Sequence, residues 1–80
     1  MSDAEKCTLA RMDSGQSGIV IEIAGGHGLA NRLYALGIRP GKRITKVSSM
    51  FARGPVVLQV DRAEVAIGFG MANKILVQSD

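Results

Sequence analysis

Apolar and polar residues alternate over Ile19 to Ile23, where Ile19, Ile21 and Ile23 are interleaved with Val20 and Glu22. A period of two predicts a strand that buries one face, here with the isoleucines inward. Gly25, Gly26 and Gly28 then surround His27 in a loop, and the period changes. Leu29, Leu33 and Leu36 stand at i, i+4 and i+7, one stripe of a helix, with Asn31 and Arg32 facing away. Gly37 is placed to be the left-handed residue after that helix, because it has no Cβ to clash there. Ile38 can fold back on Leu33 in a Schellman ending, and Pro40 prevents the helix from continuing. The sequence therefore predicts a fixed corner from Gly37 to Gly41.

A second strand is expected from Lys42 to Val47, with a bulge near Thr45 and Lys46 where alternation lapses. "SSMFARGP" reads as a loop. "VVLQV" alternates cleanly and places Val56, Leu58 and Val60 on one face. Asp61, Arg62 and Ala63 make a tight hairpin into "EVAIG", with Val65 and Ile67 inward. "FGMANK" predicts one helical turn, and Ile75 to Val77 a last strand. Upstream, Thr8 to Gly18 reads as a lead-in ended by the turn residues Asp13, Ser14 and Gly15. Residues 1–6 are expected to be a flexible N-terminus and 7–80 a single domain. The predicted class is mainly β: a small barrel of about five strands, which hides the edges an open sheet exposes. One helix follows the first strand, and a short helical turn precedes the last.

Eighty residues support only a modest core, since a chain of this size buries about 60% of the surface it exposes unfolded. A hydrophobic content of 46% with 21% charged residues is that of a globular chain. Cys7 is the only cysteine, so no intrachain disulfide forms and an intracellular setting is expected. No apolar run approaches the roughly 20 residues of a membrane-spanning helix. "MSDAEKC" lacks the basic and apolar regions of a secretory signal, so a cytoplasmic location is expected. The net charge of +3 is unevenly spread. Between Glu22 and Asp61 there is no acidic residue, while Arg32, Arg39, Lys42, Arg43, Lys46 and Arg53 all fall there. Such a block either meets an anionic partner or forms a solvated basic face.

Candidate chemistry is sparse. "GIRPGK" is not a P-loop: Gly37 and Gly41 enclose three residues, Arg43 follows Lys42, and the segment leads out of a helix rather than into one. "GGHG" and "GFG" are explained by turns and barrel corners. His27 and Cys7, helped by Asp13 or Met50, could in principle ligate a metal. There is no CxxC, no HxxxH and no second histidine, so a loop histidine and an incidental thiol are the favoured identities. No pattern marks an activated nucleophile or a carboxylate pair. The chain is not expected to be an enzyme, and no cofactor is implied.

The order of these pieces resembles the ferrous iron transport protein A (FeoA) family. The likeness runs from about Cys7 to Val77. Its most specific part is "RLxxLGxxPG", met by Arg32, Leu33, Leu36, Gly37, Pro40 and Gly41, followed by "VAIGFGMANKILV" near the end. Lys46 departs from the pattern at a strand position where an apolar residue is common. The resemblance implies an SH3-like barrel and a small cytoplasmic protein. It also implies a partner, the FeoB-type membrane iron transporter, whose cytoplasmic part the family is thought to bind. The same barrel ends some metal-dependent repressors, but no helix-turn-helix precedes it here, so the stand-alone form is expected. The partner-binding residues expected on this reading are Arg32, Arg39, Lys42 and Arg43 with the loop residues Met50, Phe51 and Arg53. Apolar and arginine anchors suit an interface, although Met50 and Phe51 could equally cap the barrel. A patch around Phe51 would also support weak self-association. The rival function is a basic nucleic-acid-binding barrel. Tyr34 on a helix and Phe69 in a turn leave no strand to offer the stacking platform that such a function uses.

Overall fold

The computed structural model describes residues 6–49 and 54–80. Along the chain come β1 (Lys6–Thr8), a 3₁₀ turn (Leu9–Arg11), β2 (Ser17–Ile23) and α1 (His27–Ala35). They are followed by β3 (Arg43–Ser49), β4 (Val56–Val60), β5 (Ala63–Ile67), α2 (Phe69–Ala72) and β6 (Ile75–Ser79). Every strand pairing is antiparallel, in the order β1-β6-β2-β3-β4-β5. Val20, Ile44, Val56, Leu58, Val60, Ile67, Ile75 and Val77 converge from five of these strands on one core, so the sheet curls around it. Leu9, Met12, Leu33, Ile38 and Ala72 plug that core from the connections. This is the mainly β, barrel-like class expected, with one strand more. The addition is β1, which lies in the predicted lead-in and pairs with β6 through Cys7 and Val77. Three residues are too few to display alternation, so its pairing is visible only once β6 lies beside it.

Two inward faces differ from expectation. In β2, Val20 is buried, whereas Ile19, Ile21 and Ile23 are only half-buried. Val20 faces Val77 and Glu22 faces Leu76, so Ile21 is the extra residue of a bulge, and the bulge resets the alternation. In α1, Leu33 is buried and Leu29 half-buried, but Leu36 is 43% exposed. The helix stops at Ala35 with Leu36 as its C-cap, and Ile38 supplies the buried contact instead. The bulge expected near Thr45 and Lys46 falls at Val47, where the β3–β4 register shifts between Lys46 and Ser48.

The corner after α1 has the predicted construction. Gly37 has φ +90°, its N–H donates to Tyr34 O at 2.9 Å, and Ile38 N–H donates to Leu33 O at 2.9 Å. That is the Schellman pair of bonds. A Cβ on Gly37 would lie 3.4 Å from Val60 Cγ1, so space is not the constraint and backbone conformation is. Gly37→Ala is therefore expected to destabilise by about 1 kcal/mol through left-handed strain. Gly37→Asn should cost less, because asparagine tolerates that region. Urea unfolding of the pair checks this, and equal stability of all three chains would refute it.

Candidate functional site

Arg39, Pro40 and Gly41 turn the chain out of α1 and dock it on β2. Gly41 N–H donates to Val20 O at 2.7 Å, and Val20 N–H donates to Lys42 O at 2.9 Å. Lys42 N–H closes the turn onto Arg39 O at 3.0 Å. Val20 is itself in the core, so the backbone carrying Arg39 and Lys42 is tied to a buried strand position. Arg39, Pro40, Gly41 and Lys42 line a shallow depression of about 250 Å³. Beside it lies a second depression of about 330 Å³, lined by Lys42, Arg43, Thr45, Gln59 and Asp61.

The fold changes the electrostatic reading of this edge. Lys42 Nζ pairs with Asp61 Oδ1 at 2.9 Å, and the Arg43 guanidinium pairs with Asp80. The sequence interval holds no acid, but the β4–β5 hairpin and the end of the described chain bring one to each of these cations. Both pairs are solvent-exposed and contribute on the order of 1 kcal/mol or less to stability. Their larger effect is to neutralise Lys42 and Arg43, two of the cations predicted to meet a partner. Arg39 and Arg32, both exposed, have no ion pair among the described residues. Arg32 lies in the last turn of α1. The predicted anchors Met50, Phe51 and Arg53 lie outside the described residues. Of the motif residues, Leu33 is in the core, Leu36 and Pro40 are exposed, and Gly37 and Gly41 take positive φ.

Lys46 was expected to contribute to the basic block, and instead it is 2% exposed. Its ammonium donates to Ala10 O at 3.0 Å and to Met12 O at 2.6 Å, two carbonyls at the end of the 3₁₀ turn. Burial pushes its pKa below the usual lysine value, opposed by the charge of Asp13 and by Cys7. Alternation from Ile44 would have indicated this inward position, since residues i and i+2 share a face. The charge of the side chain concealed it.

The residues weighed as metal ligands are apart in sequence and element: His27 is exposed at the start of α1 and Cys7 is half-buried on β1. Among the described residues no three His, Cys, Asp or Glu side chains stand close enough to share an ion. None of the described helices is long and apolar enough to cross a membrane.

Residues 7–79 match the model of the FeoA domain. An Fe(2+) transport protein A of Methanocaldococcus jannaschii is 34% identical over 70 residues, spanning 88% of this chain and 83% of that protein. A crystal structure of the iron uptake regulatory protein FeoA is 34% identical with a TM-score of 0.87, over 95% of this chain and 99% of that one. Stenotrophomonas maltophilia FeoA complexed with zinc, described as a prokaryotic SH3-domain protein, shares the fold at 24% identity. Its TM-score is 0.77, over 91% of this chain and 94% of that one.

Proposed function

The chain belongs to the FeoA family, and from that membership we propose that it serves ferrous iron transport as an accessory protein. It does so by binding the cytoplasmic part of a FeoB-type membrane transporter through the corner between α1 and β3. The observation that carries the site is Arg39: an exposed cation without an ion pair among the described residues, on backbone locked by the Gly37 ending and by the bonds between Val20, Gly41 and Lys42. An arginine on fixed backbone pays only side-chain entropy on docking and meets an acidic face from a defined position. Lys42 and Arg43 flank it as pairs that can exchange their internal acids for a partner's. Arg32 and the loop residues Met50, Phe51 and Arg53 extend the same proposed surface. The rival reading, a nucleic-acid-binding barrel, is weakened because no described strand carries an aromatic side chain on which bases could stack.

The test is retention of the solubilised FeoB from the same source on the immobilised chain, at low and moderate salt. Arg39→Glu is expected to weaken retention at least tenfold while circular dichroism is unchanged. Retention indifferent to that change would keep the partner and discard the corner. No retention in any nucleotide state of the transporter would discard direct binding.

A further inference from the structure

The sheet has two edges, and they are built differently. β1 is three residues long and begins with Lys6, two of the devices that discourage edge-to-edge pairing. β5 has five residues, contains neither lysine nor proline, and runs beside β4 without a bulge. Glu64 and Ala66 are exposed on it. The β4–β5 turn is a two-residue loop of Asp61 and Arg62, with Asp61 at φ 57°, between the paired Val60 and Ala63. A loop of that length puts its flanking pair in the hydrogen-bonded register, which then recurs at every second position. Ala63, Val65 and Ile67 therefore turn their backbone groups toward β4. Glu64 and Ala66 turn theirs outward, where no described strand lies.

We propose that the outer edge of β5 pairs antiparallel with β5 of a second copy of the chain, about a two-fold axis at Val65. In that register Glu64 faces Ala66 of the second copy and Ala63 faces its Ile67. The two residues with outward backbone groups thus exchange bonds with each other, giving four across the axis. No like charges oppose one another, whereas an axis at Glu64 would set two carboxylates face to face. The self-complementary register selects a second copy as the occupant. One short strand pair buries less than the roughly 1,200 Å² of a stable interface, so the dimer is weak and concentration-dependent. The seam is argued from β5 alone and uses none of the residues from Gly37 to Gly41, so this inference does not rest on the proposed partner.

Sedimentation and amide hydrogen exchange, read from micromolar to millimolar chain, test it. The average mass is expected to rise toward that of a dimer. The Glu64 and Ala66 amides should gain protection with concentration, while those of Val65 and Ile67 stay protected throughout. Ala66→Glu, at an exposed position, sets a new carboxylate opposite Glu64 of the second copy and should shift association at least fivefold toward monomer. Arg39→Glu should leave it unchanged. A constant monomer mass overturns the proposal, as does association that Ala66→Glu leaves intact or protection that maps away from β5.

Discussion

Gly18→Ala is expected to destabilise the chain by about 3 kcal/mol, at the upper end of what one extra methyl in a packed site usually costs. Gly18 is buried at the start of β2, where it pairs with both Ile44 of β3 and Ser79 of β6. A Cβ there would lie 2.6 Å from Gln78 O, 2.6 Å from Val77 Cγ1 and 3.0 Å from Ser79 Cα. Two of those atoms are backbone of the neighbouring strand, so no rotamer change relieves the contact. The strands would have to separate, and the bond from Asp80 N–H to Ser17 O at 3.0 Å spans the same gap. Glycine in a strand marks such close approach. An 80-residue domain has only roughly 4–12 kcal/mol of stability to lose. The urea midpoint of Gly18→Ala should therefore fall by about a quarter or more. A midpoint within error of the parent chain would mean that β2 and β6 are farther apart than described.

The same glycine shows how the sequence carries some of the fold and hides the rest. Local chemistry was legible wherever one residue type forces one conformation. Gly37 followed by Pro40 could end a helix in one way, and Val56, Leu58 and Val60 could bury one face, and both readings agree with the structure. Features that depend on a distant neighbour were not legible. Gly18 reads only as the last residue of the lead-in until β6 lies against it. Ile21 looks like a core position until the bulge opposite Val77 and Leu76 is seen to turn Val20 inward. Leu36 completes a helical stripe on paper, yet the helix ends one residue too early to bury it. The candidate site divides in the same way. Arg39 and the corner that carries it were readable from the segment itself. The acids on Lys42 and Arg43 come from Asp61 and Asp80, 19 and 37 residues away, and no local pattern announces them.

Lys46 is the other feature that long-range packing created, and Lys46→Met is expected to cost about 2 kcal/mol at neutral pH. Methionine matches the length and apolar stem of the side chain, so the volume is conserved and the change isolates the ammonium. Two forces oppose each other. Removing the charge relieves its burial cost, which is what lowers the lysine pKa. It also strips Ala10 O and Met12 O of their donor, and a hydrogen bond from a charged group contributes about 1.5–3 kcal/mol. With two such bonds lost, the second force wins. The 3₁₀ turn should loosen first, carrying Leu9 and Met12 out of the core. The pH dependence gives an independent check with a definite sign. Below the lowered folded-state pKa, Lys46 is protonated whether folded or unfolded, and pH has no leverage through it. Between that value and the ordinary lysine value of 10.5 the unfolded chain binds more protons, so stability contributed by this group rises with pH. The gap between parent and Lys46→Met should thus be flat near neutrality and widen toward pH 10.5, other groups titrating alike in both chains. A gap that stays flat up to pH 10.5 and narrows only above it would mean the ammonium is stabilised by its site, and a gap near zero at neutral pH would mean that it does not hold the two carbonyls.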